Sequence, residues 1–444
     1  MAKLNTCLLT KPVVVTNLSH EGRGIAHVEG KTTFIDNALP GETVTIHYTK
    51  KHRQYDEASA IEILTASPNR VTPKCAHYML CGGCSLQHLD TSAQLQHKEK
   101  NLLTQLKQLA GVKPKHLLPA ITASNWGYRR RARLGVKYVT KKQTVLVGFR
   151  EKNGRYLAQL QGCETLDARI SQLIPALQTL IHSMQAYQSI PQIEVSMGDE
   201  QLALVVRHLI PLNTEDTDKL ISFAKQQQLQ LYLQPGNASS IACVWPESNS
   251  PPLTYYLNPS PQLDKRLEFF FKPTHFIQIN ATVNQAMVSH AMELLALNFS
   301  DQILDLFCGL GNFSLALATR CRRVVGVEGS LDLVQQAREN AMHNAVSNVE
   351  FYSADLSHPL NEQSWTQQAF NKLLLDPPRS GALSLVQQLS TWPLERIVYV
   401  SCNPATLARD TGELIKQGYV LEQAGVIDMF SHTQHSETIC LFTK

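Results

Sequence analysis

The sequence predicts a multidomain α/β protein in three parts. We expect an N-terminal OB-like β-barrel in residues 1–66, a central α+β domain in residues 67–273 and a C-terminal Rossmann-like domain in residues 274–444. The first range holds closely spaced strand-like runs with glycine turns, the second mixes strands with amphipathic helices, and the third alternates strands with helices. At roughly 150 residues per domain, the 444-residue chain has room for three cores.

The composition is that of a folded chain. Hydrophobic residues make up 43% and charged residues 18%, which excludes low-complexity and collagen-like sequences. No apolar run reaches the roughly 18 residues of a membrane span, and the first residues lack the apolar core of a signal peptide. We therefore expect a cytoplasmic protein without a membrane partner. A net charge of +4 is too small to predict nucleic-acid binding by itself, so any basic surface must be local.

The N-terminal barrel is predicted from five short strands with glycine turns between them. This spacing is typical of small OB-type barrels, a fold that binds single-stranded nucleic acid. Lys50-Lys51-His52-Arg53 forms a basic tip, which is compatible both with an RNA contact and with a solvated turn. The predicted strands are Val13–Val15, Gly24–Val28, Thr32–Ile35, Glu42–Tyr48 and Ala58–Leu64.

Helical periodicity predicts the helices of the other two parts. In the central part, helices are predicted over 92–110 and near 166–188 and 214–228, among strands that run from 129 to 273. In the last part, the alternation of strands and helices predicts a parallel, doubly wound sheet. The ligand crevice of such a sheet lies at the carboxyl ends of its strands. Its predicted strands are 302–306, 323–327, 349–353, 372–375 and 396–400, and its helices are 281–297, 312–319 and 331–343.

Ten cysteines in a chain expected in the reducing cytoplasm do not predict a disulfide framework. Cys75, Cys81 and Cys84 follow the spacing C-x5-C-G-G-C, and Cys163 is a candidate fourth thiolate. Four thiolates suit either a tetrahedral zinc or an iron–sulfur cluster. Zinc ribbons favour two C-x2-C pairs and only one is present, so a [4Fe–4S] cluster is favoured over zinc and over unrelated buried cysteines.

A basic segment begins at Arg129-Arg130-Arg131-Ala132-Arg133 and continues to Arg155, with Glu151 as its only acid. Basic groups neutralise phosphates, and aromatic faces stack on unpaired bases. A solvated strand face is the alternative, but such one-sided charge favours RNA or DNA as the partner. The aromatic residues interleaved with the basic ones are Trp126, Tyr128, Tyr138 and Phe149.

Ile303–Phe313 combines a strand end, a glycine turn and a helix start, and Glu328 ends the next strand. Such a turn brings a ligand close to the backbone, and the acid can bind ribose hydroxyls. The pattern fits a nucleoside cofactor, although G-x-G alone also suits a nicotinamide dinucleotide. Asp355, which follows the third strand, is either an adenine-side contact or a turn residue.

Asp376-Pro377-Pro378-Arg379 decides between the cofactors. Two prolines after a strand-end acid form a rigid wall that base-modifying methyltransferases need and dehydrogenases do not, so S-adenosylmethionine (SAM) is favoured. Cys402 follows the next strand, at the sheet edge that faces the ligand crevice. Glu437 is an acid close to the C-terminus, and its position alone does not predict a catalytic role.

In this order, the motifs resemble the bacterial RNA (uracil-5-)-methyltransferases. The similarity covers almost the whole chain, and its most specific parts are Asp376–Gly381 and Ser401–Pro404, with Phe276–Asn280 and His435–Glu437 as further matches. In combining an N-terminal TRAM barrel with an iron–sulfur motif, the chain resembles the members of this family that act on 23S rRNA.

The resemblance implies SAM-dependent methylation of C5 of a specific uridine in 23S rRNA. It implies Cys402 as the nucleophile and Glu437 as the general base. The residues it implies for SAM are Gln278, Phe307, Asn312, Glu328, Asp355 and Asp376, and those it implies for a [4Fe–4S] cluster are Cys75, Cys81, Cys84 and Cys163.

Chemistry assigns the same two catalytic roles. Uracil C5 is a poor nucleophile, and thiolate addition at C6 makes an enolate whose C5 attacks the methyl group. A base then removes the C5 proton so that the cysteine can be eliminated. The thiolate needs a lowered pKa, for which a helix N-terminus at Pro404 is a candidate source. The target must also leave its stack, which fits a single-stranded loop with a flipped uridine.

Several alternatives stay open. A methyltransferase that acts at two sites, or on another 23S rRNA or tRNA uridine, would share these motifs. An adenine-N6 methyltransferase would use Asp-Pro-Pro without a cysteine, and a cluster-regulated RNA-binding protein would contain an inactive SAM fold. A monomer is expected because one rRNA site needs no symmetry. No role is predicted for Cys7, Cys243, Cys321 or Cys440, and Cys308 lies in the cofactor loop.

Overall fold

The computed structural model describes residues 8–152, 154–247, 251–259, 266–358, 360 and 363–444. These residues form two compact units. The first unit comprises residues up to Asn101 together with Phe430–His435, and the second comprises Leu102–Met429 and Ser436–Lys444. Across the described ranges, no helix has the length and apolar character needed to span a membrane. Cys7 lies outside the described residues.

Six strands of the first unit form one sheet in the order β1-β5-β6-β4-β3-β2. Only two residues separate β1 from β2, so the two ends of this sheet are consecutive chain segments and the sheet closes on itself. Val15, Ala26, Ile35 and Ile46 fill its interior. The predicted N-terminal barrel is therefore confirmed. Its strands are β1 (Leu8–Val14), β2 (Asn17–Leu18), β3 (Gly24–Val28), β4 (Lys31–Asp36), β5 (Thr43–Lys51) and β6 (Tyr55–Thr65).

The helix predicted over 92–110 is also confirmed. Helix α1 (Thr91–Gln105) continues into a π-helical turn, Leu106–Ala110, and ends at Gly111. Gly111 has a φ of 70°, a left-handed conformation that favours glycine at a helix end. A two-residue strand, β7 (His116–Leu117), follows.

The central part of the chain forms a six-stranded sheet in the order β13-β12-β11-β10-β8-β9. Its helices α2 and α3 begin at side-chain caps, Asp167 and Asn213, and lie within the predicted helical ranges. A separate antiparallel pair, β14 and β15, follows. The elements are β8 (Arg131–Val139), β9 (Thr144–Gly148), α2 (Ala168–His182), β10 (Gln192–Met197), β11 (Leu202–Arg207), α3 (Thr214–Gln226), β12 (Gln230–Gln234), β13 (Ala242–Trp245), β14 (Leu253–Leu257) and β15 (Leu267–Phe271).

The last part forms an eight-stranded sheet in the order β18-β17-β16-β19-β20-β22-β21-β7. Five strands, β16 to β20, are parallel as predicted. The elements are α4 (Ala281–Leu295), β16 (Gln302–Leu306), α5 (Ser314–Ala318), β17 (Arg323–Glu328), α6 (Leu331–His343), β18 (Val349–Ser353), β19 (Lys372–Leu375), α7 (Leu383–Val386), β20 (Arg396–Ser401), α8 (Pro404–Lys416), β21 (Val420–Ile427) and β22 (Glu437–Thr443).

The sheet is not parallel throughout, because it also contains β22, a strand that was not predicted from the sequence. β22 runs antiparallel to both β20 and β21. The reason is the short connection between Ile427 and Glu437, since a parallel crossover needs a dozen or more residues and usually a helix. The reversal brings the start of β22 to the same sheet edge as the end of β20.

Candidate active site

A cleft of about 480 Å³ lies in the second unit, at the carboxyl ends of β16, β17, β19 and β20. Ligands bind at this edge in open α/β sheets. Among the described residues, the cleft is lined by seven of the eight residues predicted to bind SAM or to catalyse: Gln278, Phe307, Asn312, Glu328, Asp376, Cys402 and Glu437.

Asp355, the eighth, does not line this cleft. Its side chain is 64% exposed. Oδ1 accepts hydrogen bonds from the backbone N–H and hydroxyl of Ser357 at 2.9 and 2.6 Å, and Oδ2 pairs with His358 Nδ1 at 2.9 Å. These bonds are those of a turn residue, one of the two predicted alternatives.

The loop after β16 turns sharply around the cleft. Phe307 and Gly311 have φ values of 65° and 90°, and a Cβ on Gly311 would lie 2.7 Å from Leu315 Cδ1. Only glycine therefore fits at position 311. Glu328 joins this loop to the end of β17, because Oε2 accepts the Gly309 N–H at 3.2 Å and Oε1 accepts the Ser330 N–H at 3.0 Å.

Two carboxyl groups of the cleft region have raised pKa values. Burial raises the pKa of Asp376 to about 7. Burial, together with the charges of Asp376 and Glu328, raises the pKa of Asp305 to about 7. Asp305 is fully buried and accepts a hydrogen bond from the Ser314 hydroxyl. It was not predicted as a site residue, although an acid between two leucines of a buried strand is a signal that could have revealed it.

The proline-rich segment after β19 is held against α8 by a buried carboxylate. Asp410 accepts hydrogen bonds from the Tyr399 hydroxyl and the Ala382 N–H, both at 2.7 Å. Gly381 has a φ of 75°, and a Cβ there would lie 2.6 Å from Asp410 Oδ2. Side chains that fix this turn therefore fix the wall that Pro377 and its neighbours form beside the cleft.

Cys402 lies between β20 and α8, immediately before the helix cap Asn403, whose side chain accepts the Ala405 N–H at 3.1 Å. Its side chain is half-buried. Burial, followed by the charges of Glu437 and Asp376, raises the pKa of the Cys402 thiol. Burial and these two charges therefore outweigh the start of α8, which the sequence offered as a candidate source of a lowered thiol pKa.

The sheet register explains why Cys402 and Glu437 share the cleft. Ser401, the last residue of β20, pairs with Thr438 of β22. Because the strands are antiparallel, the residue after Ser401 and the residue before Thr438 lie side by side at the sheet edge. Glu437 is buried, with 6% of its surface exposed. No motif spacing predicted this proximity, since it depends on the reversed direction of β22.

The four cysteines predicted as cluster ligands are divided between the two units. Cys75, Cys81 and Cys84 belong to the first unit and Cys163 to the second. The Gly83 N–H donates to Cys81 Sγ at 3.4 Å, and Cys163 Sγ lies 3.3 Å from the Thr165 hydroxyl. Within the described part of the chain, no group of three or more His, Cys, Asp or Glu side chains is arranged to hold a metal ion.

The basic segment separates into two sets of residues. Arg130 is 3% exposed and donates to the Gln278 carbonyl at 3.1 Å and to Asp199 Oδ1 at 3.0 Å. Arg131 donates to the carbonyls of His275 and Thr274. These two arginines hold the chain next to the cleft and do not form an RNA-facing surface. A groove of about 820 Å³ is lined by five further basic residues of the segment, Arg133, Lys137, Lys142, Arg150 and Arg155.

The strand order, the glycine loop, the acid after the second strand and the proline wall define a SAM-dependent methyltransferase. The chain belongs to the tRNA (Uracil-5-)-methyltransferase family, whose model matches residues 90–444, and residues 10–61 match the TRAM domain. Two curated relatives cover nearly all of the chain. A 23S rRNA (uracil(1939)-C(5))-methyltransferase RlmD from Nitrosococcus oceani is 52% identical and covers 96% of this chain and 94% of its own length. The relative of the same name from Alcanivorax borkumensis is 48% identical, with 98% and 96% covered.

A solved structure has the same overall fold. It is the Pyrococcus abyssi tRNA (uracil-54, C5)-methyltransferase in complex with S-adenosyl-L-homocysteine. The match has a TM-score of 0.73 and 23% sequence identity, and it covers 98% of this chain and 100% of that one. At this identity the likeness concerns the fold alone.

Proposed function

We propose that the chain methylates C5 of the uridine at position 1939 of 23S rRNA, the reaction named for its RlmD relatives. The observation that carries the proposal is the placement of Cys402 and Glu437 in one cleft with the residues predicted for SAM. An adenine-N6 methyltransferase would have no use for a thiol at this edge. A ribosomal RNA substrate also implies a cytoplasmic enzyme, and we propose that it acts as a monomer.

The reaction begins at Cys402. Its thiolate adds to uracil C6, and the electron pair of the C5–C6 bond moves into the ring as an enolate. SAM, when bound, would supply an electrophilic methyl group to C5, with the methyl–sulfur bond breaking and the neutral thioether as the leaving group. Glu437 then accepts the C5 proton, the C5–C6 double bond forms again, and the Cys402–C6 bond breaks with return of the thiolate. The sheet register, which brings the two residues side by side, and their place in one cleft support this division of roles.

SAM is proposed to lie along the loop after β16. Glu328 suits ribose hydroxyls, and Gln278, Phe307, Asn312 and Asp376 are proposed as further contacts because all of them line the same cleft. A contact of Asp355 with the adenine rests on the family resemblance, since its carboxylate is engaged by Ser357 and His358.

We also propose that Cys75, Cys81, Cys84 and Cys163 hold a [4Fe–4S] cluster. The donor set is four thiols, and the Gly83 N–H directed at Cys81 Sγ is the kind of hydrogen bond that stabilises a cluster-bound thiolate. The participation of Cys163 rests on the family resemblance. Protein purified without oxygen should be brown and contain about four irons. Colourless protein with one zinc would contradict the cluster and support a zinc site.

The RNA is proposed to contact the TRAM barrel and the basic groove. Arg133, Lys137, Lys142, Arg150 and Arg155 bring five cations to a groove in which Glu151 is the one acid among the described lining residues. Tyr156, at 75% exposure, offers a face for stacking on an unpaired base. The target uridine must leave its stack to reach the cleft, which fits a single-stranded loop. We also propose that the chain is divided into three domains, with boundaries after residues 66 and 273.

The test is methylation of 23S rRNA transcripts with radiolabelled SAM, followed by mapping of the modified nucleotide. We expect one 5-methyluridine, at position 1939. A second modified uridine would support a dual-site enzyme, and N6-methyladenosine would contradict the proposal. With 5-fluorouridine at the target and SAM, the wild type and the exposed-thiol control Cys243→Ser should form a covalent RNA adduct. Cys402→Ala should form none, and an adduct with this variant would remove the nucleophile assignment.

A further inference from the structure

Tyr255 lines the cleft, although no motif predicted it. It lies on β14, and 2% of its surface is exposed. Its ring stacks on Phe269 with centroids 4.8 Å apart and planes 5° from parallel, while Arg130 Cζ lies over the ring, 5.1 Å from its centre. The ring is therefore fixed by neighbours, and its hydroxyl has one defined position.

The Tyr255 hydroxyl donates to Asn312 Oδ1 at 3.0 Å. A buried O–H needs an acceptor, and this carbonyl oxygen provides it. The contact fixes which end of the Asn312 amide faces Tyr255, because the amino end cannot accept a proton. Burial raises the pKa of Tyr255 far above its usual range, so the hydroxyl remains a donor throughout the working pH range.

The hydrogen bonds of Asn312 leave one proton for a ligand. Oδ1 accepts from Tyr255 and from Asn284 Nδ2, and Nδ2 donates to Asn284 Oδ1, all at 3.0 Å. An amide NH₂ has two protons, and the described contacts use one of them. The second is available at the cleft wall, where an acceptor of the cofactor would meet a donor that cannot rotate.

Arg130, which lies over the Tyr255 ring, also holds the cleft residue Gln278. Arg130 Nε donates to the backbone carbonyl of Gln278 at 3.1 Å, and its backbone N–H donates to the Ile279 carbonyl at 3.1 Å. Asp199 pairs with Arg130 through Oδ1 and accepts the Tyr256 N–H through Oδ2 at 2.9 Å, which ties β14 to the same arginine. Phe269 and Arg130 therefore hold Tyr255 in place, and Arg130 also connects it to the segment that carries Gln278.

We propose that Tyr255 is a positioning residue of the SAM site, whose hydroxyl orients the Asn312 amide so that its free N–H is presented to the cofactor. This rests on the proposed function, because it takes the cleft to be the SAM site. It adds a residue that acts through Asn312 and need not touch the cofactor.

The test compares Tyr255→Phe with Tyr256→Phe in the full-length protein. The two substitutions remove the same hydroxyl from adjacent residues, and Tyr256 lies outside the described lining of the cleft. S-adenosylhomocysteine binding is measured by calorimetry without RNA. We expect Tyr255→Phe to weaken binding about 3- to 10-fold, the loss of one hydrogen bond, and Tyr256→Phe to leave it unchanged. In methylation assays the KM for SAM should rise while kcat stays within about twofold.

A double-mutant cycle separates positioning from general structural loss. In an Asn312→Ala background, Tyr255→Phe should cause no further loss of binding, because the amide that it orients is gone. The positioning role would be overturned if Tyr255→Phe bound S-adenosylhomocysteine with wild-type affinity. An equal loss of affinity with and without the Asn312 amide would also overturn it. Neither result would contradict the proposed methylation of uracil. If the wild-type protein binds no S-adenosylhomocysteine, the SAM site is wrong and the positioning role falls with it.

Discussion

Cys308 and Cys402 line the same cleft but differ in how far they are buried and in their charged neighbours. Cys308 lies under the glycine loop with 3% of its surface exposed, and burial with the charges of Asp305 and Glu328 raises the pKa of its thiol strongly. Cys402 is half-buried at the end of β20, next to the start of α8, and Arg379 partly offsets the influences that raise the pKa of its thiol.

The difference concerns access as well as charge. A reactive cysteine needs both a path to its substrate and a route to the thiolate, whereas a buried thiol surrounded by acids is inert. Cys402, at the end of a parallel strand, is accessible and has Arg379 as a neighbour that favours the thiolate, while Cys308 in the turn is buried and has acids as its charged neighbours. Position in the fold therefore separates two cysteines that the composition of the cleft alone would not separate.

The largest expected effect comes from replacing each of the two cysteines in turn. We expect Cys402→Ala to reduce kcat about 10⁴-fold or more, because the enolate forms only after the Cys402 thiolate adds to C6. Cys308→Ala should cost less than about tenfold in kcat, with a stability loss of about 1 kcal/mol from the space left in the core. The measurement is steady-state methyl transfer with thermal melting as the folding check. Equal losses for the two variants would mean that the cleft does not distinguish its thiols.

A second expected effect concerns the base beside Cys402. Glu437→Gln keeps the size of the side chain but removes its proton-accepting carboxylate, so release of Cys402 from C6 should slow by about 10²- to 10⁴-fold. Rapid-quench experiments should show one fast methyl transfer per enzyme, followed by accumulation of the covalent RNA complex. The matched control is Glu422→Gln, an acid of β21 that pairs with Lys115 away from the cleft. Ordinary turnover in Glu437→Gln would remove the base role.

Parts of this site were accessible to sequence reasoning for a physical reason. Asn312 and Asp376 follow the apolar strands β16 and β19, and Glu328 ends β17. Because the carboxyl ends of parallel strands meet at one edge, these three residues could be grouped without a structure. The barrel and the helix over 92–110 were equally visible as local patterns.

Other parts depend on contacts between distant segments. The pairing of Cys402 with Glu437 follows from the antiparallel β22, and periodicity does not carry strand direction. Arg130 and Arg131 have the same charge as Arg133, yet their partners on the chain before α4 turn them inward. Tyr255 reaches the cleft through the β14–β15 pair, for which no motif exists.

A third prediction uses pH to compare the thiols directly. Alkylation by iodoacetamide requires the thiolate, so the rate at Cys402 should rise about tenfold per pH unit below the thiol pKa. Because that pKa is raised above its ordinary value of 9.0, the rate should still be rising at pH 9. Cys308 should stay unmodified in the folded protein throughout. Peptide mass spectrometry gives both rates, and a plateau at Cys402 near neutral pH would contradict the raised pKa.

The smallest expected effect tests the acid beside Cys308. The folded protein holds the pKa of Asp305 at about 7 against an ordinary value of 3.8, so it binds more protons than the unfolded chain between these two values. Stability from this group is therefore present at low pH and is lost as pH rises through 7. Asn does not titrate and can still accept the Ser314 hydrogen bond, so Asp305→Asn should gain stability relative to the wild type across this range. We expect the melting-temperature difference between them to grow by about 2–4 °C from pH 5 to pH 8.

Asp332→Asn is the control of opposite sign for that measurement. Hydrogen bonds from Lys272 and His275 lower the pKa of the Asp332 carboxyl, so it stabilises the folded protein when charged. The stability that Asp332 contributes is present above its unfolded pKa and is lost at lower pH, and Asp332→Asn should therefore lower the melting temperature at pH 8. A pH-independent difference for Asp305→Asn would show that Asp305 is charged in the folded protein. The setting of Cys308 would then contain a carboxylate at neutral pH, and its charge would add to burial in keeping the thiol protonated.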